Sequence, residues 1–168
     1  MHLKARCISA YVENDIGVLA KISGLFAGKN YNLDTLTVGV TEDPTMSRMT
    51  ISLTCDDQTF EQIIKQLNRS VEVIKVIDFT DMAIHKKELL FIKVNSCKAG
   101  DKEEIFRIAQ TFDLTVIDYN KKSVLVQCVK TDAKNNEIIR LFEEFFVNRI
   151  EVVRGGNVAI EALSAVEV

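Results

Sequence analysis

From Cys7 to Val12 apolar and polar side chains alternate, Cys7-Ile8-Ser9-Ala10-Tyr11-Val12, as in a strand with one buried face. Glu13-Asn14-Asp15 breaks that pattern, and from Ile16 the period lengthens. Ile16, Leu19, Ile22, Leu25 and Phe26 then share one face of a helix. Gly28-Lys29-Asn30 ends the helix, because Gly and Asn tolerate the left-handed conformation of a helix C-terminus. Leu36, Val38 and Val40 alternate with Thr37 and Gly39 in a second strand, and Asp43-Pro44-Thr45 turns the chain. The third strand sets Met49, Ile51 and Leu53 against Arg48, Thr50, Ser52 and Thr54. Phe60, Ile63, Ile64 and Leu67 predict a second amphipathic helix, and Val71 to Ile77 a fourth strand.

After a polar junction around Thr80 to Lys87 the same order returns. Leu89-Leu90-Phe91-Ile92-Lys93-Val94 reads as a buried strand, and Asp101 with Glu104 resembles a capping box opening a helix. Ile105, Ile108, Ala109 and Phe112 line that helix. Val116 to Tyr119 and Val124 to Val126 flank the hairpin signal Asn120-Lys121-Lys122-Ser123. Ile138, Leu141, Phe142 and Phe145 repeat the helical spacing, and Ile150 to Val153 form a closing strand. The tail from Gly155 has two readings, a short strand or a segment that docks on a partner. Strand, helix, strand, strand, helix, strand, twice over, predicts an α+β chain of two ferredoxin-like βαββαβ domains in tandem, residues 1–80 and 81–168. In each, two helices cover one sheet face, and the other must stay polar or be covered. Tyr11, Thr37, Gly39, Arg48, Thr50 and Ser52 would flank that second face in the first domain. Domains this small bury little surface alone, so a homodimer is expected.

Composition narrows the function. The chain has 168 residues, 47% apolar and 27% charged, with 21 Lys and Arg against 24 Asp and Glu. Neither half is basic, so the electrostatic footprint of a nucleic-acid binder is missing. With 7 Gly and 1 Pro, no long linker is expected. No apolar run approaches the ~18 residues of a membrane span, and Met1-His2-Leu3-Lys4-Ala5-Arg6 opens no signal peptide, which points to the cytoplasm. Cys7, Cys55, Cys97 and Cys128 are widely spaced, as buried free thiols in a reducing compartment would be. His2 and His85 are too few and too isolated for a zinc site. Glu103-Glu104 and Glu143-Glu144 are adjacent on helices and diverge, Arg154-Gly155-Gly156 is too short for a phosphate loop, and no nucleotide-loop or metalloprotease motif occurs. No catalytic residue, metal site or cofactor is assigned to this chain.

Binding has more support. Glu13-Asn14-Asp15-Ile16-Gly17-Val18-Leu19 leads from the first strand into the first helix. A helix start leaves backbone N–H groups unpaired, and its dipole favours an anion by roughly 0.3–1 kcal/mol. Gly17 lacks a Cβ, so a carboxylate can approach those groups closely. Asn14 can accept from an ammonium group or donate to a carboxylate. Spacing alone favours a plain cap at Asn14 or Asp15 with Gly17 incidental, because such caps are common, and Asn32 in Tyr31-Asn32-Leu33 is open to the similar reading of a turn residue before the second strand.

The segments Glu13 to Leu19, Gly24-Leu25-Phe26, Tyr31-Asn32-Leu33, Leu36-Thr37-Val38 and Thr45-Met46-Ser47-Arg48-Met49-Thr50-Ile51 resemble the regulatory (small) subunit of acetohydroxyacid synthase, also called acetolactate synthase. The resemblance is dense through Ile51 and looser beyond the junction. It implies an N-terminal ACT domain, a C-terminal domain of related topology, and a non-catalytic protein. The partner implied is the thiamine-diphosphate-dependent large subunit, which also carries Mg2+ and FAD. Its activity would be raised by this chain and made subject to feedback inhibition by valine or another branched-chain amino acid. The resemblance further implies paired ACT domains with the effector at their interface. Asn14 and Gly17 of one protomer would hold its polar end, Asn32 and Leu33 would reach it from the other, and Val18 and Ala20 would lie beside the pocket. The family often carries Pro at the position of Ile16 and Gly at that of Asn30; losing the proline removes preorganisation at the helix start. Rival readings are a free-standing amino-acid sensor acting on another enzyme or regulator, a metal-responsive regulator, and an enzyme in its own right. Scarce histidine and the absence of a basic segment count against the second, and the absence of a catalytic constellation against the third.

Overall fold

Two four-stranded antiparallel sheets organise the chain, each backed by two helices. The computed structural model describes residues 3–27 and 31–163. The elements are β1 (Lys4–Glu13), α1 (Val18–Ala27), β2 (Leu33–Val40), β3 (Met46–Cys55), α2 (Asp57–Arg69), β4 (Val73–Asp78), β5 (Ile84–Val94), α3 (Asp101–Phe112), β6 (Thr115–Tyr119), β7 (Val124–Lys130), α4 (Asp132–Phe145) and β8 (Ile150–Glu161). The sheet orders, β2-β3-β1-β4 and β6-β7-β5-β8, are those of the ferredoxin-like βαββαβ arrangement taken twice. Chain contacts divide the described residues between His85 and Lys86 and between Gly156 and Asn157. Residues from Asn157 therefore pack in the first unit, where the sequence pattern groups them with the second.

In the first unit Ile8, Ala10, Val12, Met49, Ile51 and Leu53 point from the sheet into a core shared with Val18, Ile22 and Phe26 of α1 and with Phe60, Ile63 and Leu67 of α2. Asp56 caps α2, its side chain accepting from the Thr59 backbone N–H at 2.8 Å. The opposite face of this sheet is covered in part. Cys7, Phe79 and Ala159 form a small buried cluster there, and Thr37 Oγ1 donates to the Asn157 carbonyl at 2.7 Å. The tail from Gly155 thus takes the strand reading as far as Glu161.

In the second unit Leu90, Ile92, Val94, Val124, Val126 and Cys128 pack beneath Ile105, Ile108, Ile138, Phe142 and Phe146. The predicted hairpin forms with Asn120 Oδ1 accepting from the Lys122 and Ser123 backbone N–H groups.

Several expectations shift. The first helix begins at Val18, and its buried stripe is Val18, Ile22 and Phe26; Ile16 is fully exposed in the preceding turn and Leu19 is partly exposed. Gly17, at φ +86°, lies outside helical geometry and so starts the helix after it. The fourth strand starts at Val73, leaving Val71 exposed. Asp101 is no capping box: Gly100 in left-handed geometry is the N-cap, and the Asp101 carboxylate accepts from Lys98 N–H at 2.6 Å and pairs with Arg149. In α4 the core contact passes from Phe145 to Phe146 just beyond the helix. Gly28-Lys29-Asn30 lies outside the described residues.

Candidate effector site

The loop from β1 to α1 is built on backbone geometry. Gly17 turns the chain at positive φ, and a Cβ placed there would meet no atom within 4 Å, so open space lies above the start of α1. At the start of α1 the Val18 N–H donates to the Asp15 carbonyl at 3.3 Å and the Lys21 N–H to the Gly17 carbonyl at 3.0 Å, so the N–H groups between them, those of Leu19 and Ala20, are the ones without a partner within the helix. Val18 sits in the core with Ile22 and holds the loop from behind, whereas Ala20 is exposed.

Asn14 is tied into the turn between β2 and β3. Its backbone N–H donates to the Thr45 carbonyl at 2.8 Å, its Nδ2 to the Pro44 carbonyl at 2.9 Å, and Ser47 Oγ donates to its Oδ1 at 3.0 Å. The turn is itself braced: Asp43 Oδ1 accepts from the backbone N–H and hydroxyl of Thr45, and those bonds, the hydroxyl first, lower its carboxyl below the usual range. The Asn14 amide is thus spent on positioning the loop, with a second lone pair on Oδ1 still open to a donor. Sequence reading missed Pro44 and Ser47 as its partners, because nothing in a strand pattern pairs residues so far apart.

Asn32 and Leu33 stand elsewhere. Asn32 is exposed just before β2, and Leu33 is half-buried against the core. Leu33 and Arg6 both face Leu53 across the sheet, whereas Val40 and Val12 both face Ser47. Asn32 therefore lies near the beginning of β1 and Asn14 just past its end. At about 3.3 Å per residue from Arg6 to Asn14, the two ends are roughly 25 Å apart. One chain brings together Asn14, Gly17, Val18 and Ala20, but not Asn32 and Leu33.

Other singled-out residues take structural places. Arg154 Nε and Nη2 donate to the carboxylate of buried Glu88 at 3.0 and 2.8 Å, and this partnership raises the Arg154 pKa. Asn135 donates to the same carboxylate at 2.9 Å and accepts from the Cys128 thiol at 3.2 Å. Burial pushes the Cys55, Cys97 and Cys128 thiols up, as suits packing residues rather than nucleophiles. His85 is exposed at the start of β5. Among the described residues no group of His, Cys, Asp and Glu is placed to hold a metal ion, and no helix is long and apolar enough to cross a membrane.

Two family models match the chain: an AHAS small subunit-like ACT domain over residues 8–75, and the small subunit of acetolactate synthase over residues 87–163. The chain is 36% identical over 158 residues to the acetolactate synthase small subunit of Aquifex aeolicus, covering 94% of this chain and 81% of that one. It is 35% identical over 155 residues to that of Haemophilus influenzae, covering 92% and 94%. A crystal structure of the acetolactate synthase small subunit from Thermotoga maritima superposes with a TM-score of 0.84 at 31% identity, over 96% of this chain and 99% of that chain.

Proposed function

The chain belongs to the family of acetolactate synthase small, regulatory subunits, and from that premise we propose that it activates a thiamine-diphosphate-dependent large subunit and makes it sensitive to valine or another branched-chain amino acid. Catalysis, with thiamine diphosphate, Mg2+ and FAD, stays in the large subunit. The effector lies between the ACT domains of two copies of this chain. The observation that carries this reading is the separation of the site residues to opposite ends of one sheet. β2 is an edge strand, so a second copy can pair with it antiparallel. That pairing sets the start of one β2 beside the end of the other, the end at which the Asn14–Gly17 loop stands. Asn32 and Leu33 of the partner then complete the pocket. The N–H groups at the start of α1 take the amino acid's carboxylate, amide oxygens take its ammonium group, and aliphatic carbons take its side chain.

Effector binding stabilises one arrangement of the pair, and the large subunit responds to that arrangement. Such coupling is typically ~1–3 kcal/mol, a 5- to 150-fold shift, and is reciprocal, so the large subunit alters the chain's affinity for valine. Acetolactate formation by the cognate large subunit, measured alone, with this chain, and with valine added, tests the reading. A rise followed by a valine-dependent fall is expected. No change with folded protein would favour a sensor of another enzyme. Gly17→Asp sets a carboxylate where the ligand's belongs and should abolish inhibition while sparing activation. Gly17→Asn, uncharged and tolerant of positive φ, separates charge from strain.

A further inference from the structure

On the face of the first sheet away from the helices, a cleft of about 320 Å3 lies over Gly39, bordered by Tyr11, Thr37, Thr41, Arg48 and Thr50 and closed by Val158 and Ala159. All of these residues belong to the first unit. The floor is open because Gly39 stands directly opposite Arg48 in the β2–β3 pairing and has no side chain; a Cβ there would meet nothing within 4 Å. Arg48 is held in one pose. Its Nε donates to Ser9 Oγ at 2.8 Å, its Nη2 reaches Glu161 at 3.4 Å, and the guanidinium lies 5.0 Å from the Tyr11 ring centre and 5.8 Å from that of Phe79. The two N–H donors of Nη1 have no partner among the described residues. A fixed, largely buried guanidinium with its spare donors on Nη1, beside an open cleft, is placed to donate to a carboxylate oxygen from that end. Glu161 sits at the long end of hydrogen-bond distance and balances only part of the charge.

We propose that this cleft is a second small-molecule site, distinct from the Asn14–Gly17 loop, which binds a carboxylate of amino-acid size through Arg48. The volume is ample for one such molecule, with its body over Gly39 and against Val158 and Ala159. Glu42 stands at the rim, where an ammonium group on the ligand would find it, so an amino acid should bind more tightly than the corresponding 2-oxo acid.

The test is titration of the full chain with L-valine and, separately, with 3-methyl-2-oxobutanoate, followed in amide and arginine Nε–H correlation spectra. Saturable shifts are expected at Gly39, Thr50, Ala159 and the Arg48 Nε–H with both compounds, tighter for the amino acid. Gly39→Val, which suits a strand and fills the floor, should weaken these shifts at least tenfold while thermal stability holds. Arg48→Gln should do the same. Gly17→Asp should leave them in place, which separates this site from the effector loop. Absence of saturable shifts at the four positions, their survival in both cleft variants, or their loss in Gly17→Asp would each overturn the proposal.

Discussion

Glu88 shows how little of a residue's role its neighbours in sequence disclose. It stands between the polar junction that ends at Lys87 and the apolar run from Leu89, yet its carboxylate is fully buried and held by Arg154 and Asn135. A buried carboxylate is tolerated only when paired and hydrogen-bonded, and removing one side leaves the other uncompensated. Glu88→Ala should therefore lower stability by about 3 kcal/mol in urea denaturation. The paired replacement Glu88→Leu with Arg154→Leu should cost much less, since no orphaned charge remains; an equal loss would mean the pair acts by packing alone. Asn32→Ala belongs to the same scale with the opposite expectation. Asn32 is exposed, so calorimetry should find weaker valine binding with unchanged thermal unfolding. The candidate site was legible in Asn14, Gly17 and Asn32 as types of residue, because Gly and Asn carry their backbone and hydrogen-bonding properties with them. The bonds from Asn14 to Pro44 and Ser47 were not, since tertiary pairing creates them.

At the scale of elements, helices and strands follow local chemistry except at their ends. Asp56 and Thr131 cap α2 and α4 through side-chain bonds to backbone N–H groups three residues on. The cap holds the Asp56 carboxyl below its ordinary 3.8, with the Thr59 backbone bond the main cause. A carboxyl lowered on folding stabilises the native state above its unfolded pKa, and that contribution fades as pH falls through the folded value. Asp56→Asn keeps a capping acceptor that does not titrate, so its thermal stability should fall less steeply than the parent's below about pH 4. Parallel acid profiles for the two proteins would remove Asp56 from the acid response. Thr131→Ala should cost about 1 kcal/mol with no such pH dependence. Asp101 shows the limit of motif reading: an acid three residues before another acid fits a cap, but Gly100 with its positive φ takes the capping position, and Arg149, distant in sequence, captures the carboxylate.

For the whole molecule, the proposed function rests on association. If two copies share the effector, analytical ultracentrifugation should find twice the chain's 18.9 kDa, and valine should tighten the association; a monomer at micromolar concentration would remove the shared site. The sequence by itself determined the element order and both helix-covered cores, because periods of 2 and 3.6 are properties of a local backbone with one buried face. It also determined the family, through short motifs kept in order. Only the tertiary structure decided that residues from Asn157 close over the first sheet, that Arg48 lies beside the rings of Tyr11 and Phe79, and that Asn14 and Asn32 stand at opposite ends of one sheet. Each of these depends on strand order and register, which join residues far apart in the chain and leave no local pattern to read.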